Sequence, residues 1–426
     1  MKRLAMVLLL AACGGDAAAR RETGGRVEPT RSDSGGVEVL VHDPAGFAAA
    51  PAITLDATPL AVIAGSAEDE AADISTVTPA LFLGDGRLLG IDRQRQVLVL
   101  FSADGASRQE FGRQGSGPGE YGAVGTILPI GGDRFLVMDF RNGRISHFDP
   151  AAGPGREWSI SDAMGMGATS PVGMLGDEVM LWGGIFGTGD AVGMPGIKTA
   201  LLDTTAGTTR RLFATADEEA DASAARVIEL PGGGRAVAAV RMASGPMLTA
   251  FPSVFAWDGR FVVTDPNTYR FEWRDTTGAV QRVLRVHRPR VAVTDQVWQD
   301  YISDFIDQVS GVSTSSSGMA MMTMGGGVPD TAMIRQQMSG EEHADSLPAF
   351  DRARLAPDGT LWVFDYKVPR QDGWAATAFD REGRILGRIS EASGNPPLAI
   401  GTDRMAFRTE DDLGIATITV RRLVMP

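Results

Sequence analysis

GRLLGIDRQRQVLVLFSADG, residues 86–105, holds the pattern on which the reading of the fold turns. Gly86-Arg87 leads into the apolar run Leu88-Leu89-Gly90-Ile91 and then Asp92. After a polar turn, Val97 to Phe101 forms a second apolar run, and Asp104-Gly105 closes the unit. Runs this short, bounded by Asp-Gly or Asn-Gly, predict antiparallel strands joined by tight turns. Both runs are apolar throughout. A strand with one wet face alternates, so an unbroken run predicts a strand covered on both faces.

The unit recurs. RFLVMDFRNGRISHFD, residues 134–149, repeats it with Asp139 in the place of Asp92, 47 residues on. A later copy runs from Asp258-Gly259 through Phe261-Val262-Val263 and Asp265 to Tyr269–Trp273 and Gly278. Another runs from Asp358-Gly359 through Leu361 to Phe364 and Asp365, then Thr377 to Asp380 and Gly383. Diverged copies lie at Val179–Trp182 with Leu201-Leu202-Asp203, and at Arg404–Phe407 with Ile415–Val420. A period of about 40–50 residues is that of propeller blades, and radial repetition leaves few open sheet edges. The expected fold is all-β: a six-bladed β-propeller of four-stranded antiparallel blades. Blade starts are predicted near residues 78, 126, 170, 250, 350 and 398. Val37 to Val41, with Ile53 to Leu55, is expected to complete the last sheet. The stretch 213–248 fits the period poorly and has room for a further strand pair.

The amino-terminal residues belong to targeting. Lys2 and Arg3 precede the short apolar run Leu4 to Leu10, far below the ~20 residues that cross a bilayer. Leu10-Ala11-Ala12-Cys13 then resembles the bacterial lipoprotein signal, which implies residues 1–12 as signal peptide and lipidation of Cys13. Cys13 is the sole cysteine, so no internal disulfide forms. Several acyl chains on one residue make a stable anchor. Gly14 after the cysteine resembles an outer-membrane sorting signal, so the expected location is the outer membrane, at its periplasmic face or the cell surface. Residues 13–36 are polar and Gly-rich and are expected to be a flexible tether spanning roughly 25 Å. The propeller is expected over 37–426, with an insertion at about 294–348. The net charge of −13 becomes −15 once Lys2 and Arg3 are removed, which disfavours nucleic acid as a partner.

FGRQGSGPGEY, Phe111 to Tyr121, resembles the inter-blade signature of NHL-type six-bladed propellers. GVEVL, residues 36–40, and DDLGIATITVRRL, Asp411 to Leu423, resemble propeller lipoproteins of environmental bacteria. The resemblance implies the fold and hardly constrains the activity. Some NHL-like propellers are lyases with a histidine-held channel metal, and lactonase-type propellers hold a metal with Glu, Asn and Asp. Neither ligand set can be placed in this sequence.

Four features could carry chemistry. Gly115, Gly117, Pro118 and Gly119 lie in a segment that formally fits a dinucleotide fingerprint, but a strand-like run follows where that fingerprint needs a helix. The expected role is an inter-blade corner. No lysine follows a glycine, which excludes a P-loop. Asp92, Asp139, Asp265 and Asp365 share one place in the repeat. They are either turn residues, whose carboxylates accept turn N–H bonds or pair with the arginine that follows (Arg144, Arg270), or a ring of carboxylates at the channel mouth able to hold Ca²⁺. In the insertion, Thr294 or Asp295 can cap a helix whose apolar face is Trp298, Ile302, Phe305 and Val309. A second helix is expected over 330–338. Between them Met319, Met321, Met322 and Met324 offer soft ligands for Cu(I) or an adaptable partner contact. The four histidines show no zinc spacing, and no G-x-S-x-G occurs. No cofactor is required by the sequence. The leading expectation is a non-enzymatic binding or scaffold module for a protein, peptide or glycan at the envelope. A metal-dependent hydrolase or lyase is the alternative, and copper binding the third.

Overall fold

The computed structural model describes residues 25–66, 68–69, 72–160, 169–183, 198–214, 227–229, 235–237, 247–250, 252–310, 323–324 and 331–426. The first blade comprises Val77–Phe82, Leu88–Asp92, Val97–Phe101 and Arg108–Phe111. The second comprises Val124–Pro129, Phe135–Asp139, Arg144–Asp149 and Gly153–Ser159, and the third Thr169–Leu175, Glu178–Gly183, Lys198–Asp203 and Thr209–Ala214. The fourth is built from Val254–Trp257, Arg260–Asp265, Arg270–Arg274 and Val280–Val286, and the fifth from Phe350–Leu355, Leu361–Asp365, Trp374–Phe379 and Ile385–Glu391. Ala399–Ile400, Arg404–Glu410 and Ala416–Val424 begin the sixth, and Thr54–Ala64 from the other end of the chain completes it. Within these blades neighbouring strands are antiparallel, and the molecule is a six-bladed β-propeller.

The unbroken apolar runs follow from the ring. Each blade is sandwiched between two others, so alternate residues of one strand enter two different seams. Phe135 and Val137 pack toward the first blade, and Leu136 and Met138 toward the third. Leu361 and Val363 face the fourth blade, while Trp362 and Phe364 face the sixth. Each of the six seams has its own apolar cluster.

The amino-terminal strands depart from expectation. Thr54–Ala64 closes the ring, with Thr417 opposite Ala64 and Val424 opposite Thr54. Val37–His42, expected in the same sheet, instead runs parallel to Val280–Val286 on the outer edge of the fourth blade. The sixth blade lacks one strand, so it has no place for a second. Thr30–Ser34, expected within the flexible tether, pairs antiparallel with Val37–His42 and widens that sheet to six strands. Glu38 fixes the hairpin by accepting from Arg31 at 2.7 Å and Arg282 at 2.6 Å. Arg31 also donates to the Glu382 carbonyl at 2.8 Å, and Val27 bridges to Ile385. A short helix, α1 (Pro44–Ala48), follows and is capped by the Asp43 carboxylate on the Gly46 N–H.

His42 ends the hairpin strand and is buried, with Nε2 2.8 Å from the Gly383 carbonyl oxygen. Burial holds its pKa below the usual imidazole range. The native state therefore keeps His42 neutral, while the unfolded chain takes up a proton below about pH 6.5. Stability from this group is complete above that pH and declines as the pH falls through it. Thermal midpoints measured between pH 7.5 and 5.5 are expected to fall in the wild type and to stay flatter in His42→Gln. Equal slopes would assign the loss to other groups.

Candidate functional site on the insertion-bearing face

Antiparallel strands reverse at every turn, so two kinds of connection leave the ring on one face. These are the links from second to third strand and those from one blade to the next. Among the described residues, the connections between successive strands of a blade on the opposite face are short turns such as Asp104-Gly105, Asp258-Gly259 and Asp358-Gly359. The insertion connects the fourth blade to the fifth and therefore lies on the first face, as do all four repeated aspartates.

Asp139 is fully buried. Its Oδ2 accepts from Gly122 N at 2.8 Å and Asn142 Nδ2 at 2.6 Å; Oδ1 accepts from Ala123 N at 2.9 Å and Asn142 N at 3.2 Å. Although burial pushes its pKa up, those N–H donors hold it below the usual carboxylate range. Asp92 is likewise buried and accepts from Thr76 Oγ1, the N–H groups of Gln94 and Arg95, and Arg95 Nε at 2.8 Å. Burial raises its pKa too, but the two Arg95 contacts and the Thr76 hydroxyl bring it below normal. Asp265 is half-buried and accepts from Asn267 N and Thr268 Oγ1. Asp365 lies between Arg288 at 2.6 Å and Arg388 at 2.8 Å. The four occupy separate blades, and no group of three or more His, Cys, Asp or Glu among the described residues could share a metal.

Of the two turn roles open to Asp139 and Asp265, acceptance of N–H bonds is the one that forms, and pairing with Arg144 or Arg270 is not. Arg144 sits directly opposite Asp139 in the ladder, yet it donates to the Gly117 carbonyl at 2.8 Å and the Ser116 carbonyl at 3.2 Å. It also bonds the Glu120 carbonyl and pairs with Glu157 at 2.9 Å. Arg270 pairs with Glu272. Arg144 thus holds the carbonyls of the Gly115–Tyr121 corner while Asp139 holds the N–H groups that follow it. Asn142 adds a bond to the Gly115 carbonyl at 3.0 Å. That corner, with Gly115, Gly117, Pro118 and Gly119, leads from the last strand of the first blade to the first strand of the second. A strand follows it, so the helix N-terminus a pyrophosphate needs is absent here. Gly112 opens the corner at φ +82°, where a Cβ would meet the Tyr121 ring at 2.4 Å.

In the insertion, α2 (Asp295–Ser310) is capped by Thr294, whose Oγ1 accepts from Val297 N at 3.3 Å. The second helix, α3 (Thr331–Ser339), lies against it. Trp298 and Ile302 are buried as expected, with Ile306 beside them and Phe305 only half-buried; the Val309 side chain lies outside the described residues. Ile334 and Met338 of α3 complete the cluster, against which Tyr366 and Val368 of the fifth blade pack. Arg370, from the same fifth-blade connection, clamps α2 through Asp304 at 3.0 Å and Asp307 at 2.7 Å. The two helices therefore form a fixed platform. Met319, Met321 and Met322 lie outside the described residues, as does Cys13. Met324 lies in the two-residue strand Thr323–Met324, opposite Arg235 in a small sheet with Val227–Glu229 and Arg235–Val237. Those last two strands are the pair for which 213–248 had room. No described helix is long and apolar enough to cross a membrane.

Ring closure by an amino-terminal strand, six blades and one helical platform define a β-propeller with a single elaborated face. No family model and no curated protein matches the chain. Among solved structures it is similar to a member of the DUF4221 family from Bacteroides vulgatus, with TM-score 0.50 and 11% identity over 88% of this chain and 99% of that one. A streptogramin B lyase gives TM-score 0.40 at 9% identity, covering 88% and 98%. The calcium-binding protein regucalcin from Agrobacterium tumefaciens gives 0.34 at 12%, covering 91% and 98%. These likenesses concern the fold.

Proposed function

We propose that the protein is an exported propeller, anchored by lipid at Cys13, that binds a protein, peptide or glycan at the envelope through its insertion-bearing face. The observation that supports this most is the asymmetry of the two faces. The long connections from one blade to the next and from second to third strand emerge on one side of the ring, and loops on a rigid scaffold are where recognition concentrates. On that side Leu413 is 83% exposed, Val291 41% and Phe140 39%, each on a different connection. The alternative, a metal-dependent hydrolase or lyase, finds less support. All four lone-pair positions of Asp139 already accept N–H donors, so a cation there must displace bonds that hold the corner.

Two measurements test the reading. Cys13→Ser is expected to move the protein from the membrane to the soluble fraction; a variant that still sediments with membranes rejects the anchor. A photo-crosslinking residue at Leu413 is expected to trap an envelope component, and the same residue at Asp358 on the opposite face to trap none. Equal yields from the two positions, or none from either, reject the binding face.

A further inference from the structure

On the insertion-bearing face, the first two blades carry a patch whose charge opposes that of the whole chain. Their carboxylates toward this face are all engaged. Asp92 and Glu110 share Arg95, Glu120 holds Arg113, Glu157 holds Arg144, and Asp139 is taken up by N–H groups. Arg93 and Arg141 are exposed, and neither pairs with a carboxylate among the described residues. Arg93 donates through Nε to the Thr78 carbonyl at 2.9 Å, and Arg141 lays its aliphatic stem against Gly122. In a chain of net charge −13, the unneutralised groups here are thus positive. Phe140, next to Arg141, is 39% exposed, and its ring rests on Gly125 of the second blade's first strand, where any side chain would collide with it. Gln96 ties the Arg93 turn to that same strand: its Oε1 accepts from Val124 N at 2.7 Å and its Nε2 donates to the Arg93 carbonyl. One exposed ring and two free guanidinium groups therefore stand on adjoining, fixed turns.

The free arginines call for an anionic partner, and the ring narrows its kind. A protein interface is built around a contiguous apolar core. Here the other large exposed apolar side chains of the face, Val291 and Leu413, sit on different connections, so Phe140 has no apolar neighbour of that size. A sugar needs less: its C–H face matches a single aromatic ring, and its rim is polar. A carboxylate on that sugar fits a guanidinium through two parallel N–H bonds. We propose that this patch binds a carboxylate-bearing glycan, with Phe140 stacked against a sugar ring and Arg93 and Arg141 on its carboxylates. The assignment rests on the binding role of the insertion-bearing face and narrows its partner to an acidic glycan held by the first two blades.

The test is calorimetric titration of the full chain with short oligomers of galacturonate and, separately, of mannuronate. Glucose oligomers of equal length and oligoglutamate serve as controls. Saturable binding of at least one uronate is expected, weakening as salt rises, with no response to the glucose oligomers and a weaker one to oligoglutamate. Phe140→Ala is expected to lower affinity about ten-fold, and Arg93→Gln combined with Arg141→Gln by at least as much. Thermal midpoints should stay close to the wild type, since all three side chains are exposed; if loss of the ring disturbs the Gly125 strand, the arginine pair supplies the readout alone. No saturable response to either uronate overturns the proposal. So does binding that falls with the arginines but not with the ring of a folded Phe140→Ala, which marks general charge attraction. Tighter binding of oligoglutamate overturns it in favour of an acidic peptide. Cross-linking at Leu413 separates the two readings: if it persists when the uronates fail, only the glycan assignment falls, and if both fail, the binding face falls with it.

Discussion

Removal of residues up to 66 is expected to abolish the cooperative thermal transition, while removal up to 36 leaves it in place. The longer deletion takes away Thr54–Ala64, the outermost strand of the sixth blade. It strips the pairing from Ala416–Val424 and empties the positions of Ile53, Ala61 and Ile63 in two seams. Burying a side chain such as isoleucine is worth about 1.5–3 kcal/mol, and a whole domain is stable by about 5–15 kcal/mol. Losing two buried isoleucines, a strand ladder and ring closure together therefore removes stability on the scale of the total. The shorter deletion takes only Thr30–Ser34, all of it exposed, and the segment before it. Calorimetry of both truncations checks the claim. A longer truncation that melts at the wild-type midpoint would mean that five complete blades suffice.

Asp139→Ala is expected to destabilise the chain by about 3–6 kcal/mol, because it leaves the N–H groups of Gly122, Ala123 and Asn142 without their acceptor in a buried corner. Asp265→Ala should cost clearly less, since that carboxylate is half-buried and serves one backbone N–H and one hydroxyl. Chemical denaturation of the two variants measures the difference. The order would reverse if the corner were held chiefly by Arg144. Asp139 also gives an acid signature. Its folded pKa is depressed, so its contribution is full above its unfolded value near 3.9 and is lost as the pH falls through the lower folded value.

The blades were legible because a blade imprints its own sequence. Predicted starts near 78, 126, 170, 250, 350 and 398 meet first strands at Val77, Val124, Thr169, Val254, Phe350 and Ala399. Each strand is flanked by blades on both sides, and the turns between need Asp and Gly, so pattern and punctuation agree locally. The amino-terminal hairpin shows the opposite case. Val37–His42 buries Leu40 and His42 on one face and reads as an ordinary edge strand. Its choice of the fourth blade rests on Glu38 meeting Arg282 and Leu40 meeting the seam, contacts that no local pattern announces.

The aspartates were legible as a set but not in their partners. Spacing brought Arg144 opposite Asp139, and simple charge pairing would join them. The corner preceding the second blade offers Asp139 N–H groups and offers Arg144 carbonyls, and each takes the complement that buries it best. Arg288 and Arg388 came together from two blades, so neither their proximity nor their shared carboxylate, Asp365, had a signal in sequence. Phe47, inside a short helix after an Asp cap, gave no hint that its ring would cover both arginines.

The hairpin on the fourth blade also sets how the protein responds to force. A pull on the amino terminus first meets the Val27–Ile385 bridge, then the Thr30–Ser34 ladder, then Val37–His42 and the Phe47 contact, and only afterwards the closing strand. Those outer attachments can rupture one after another and lengthen the leash without opening the ring. They are placed to act as a mechanical fuse, so a pull on the amino-terminal end is expected to dissipate in the hairpin while the six blades stay shut.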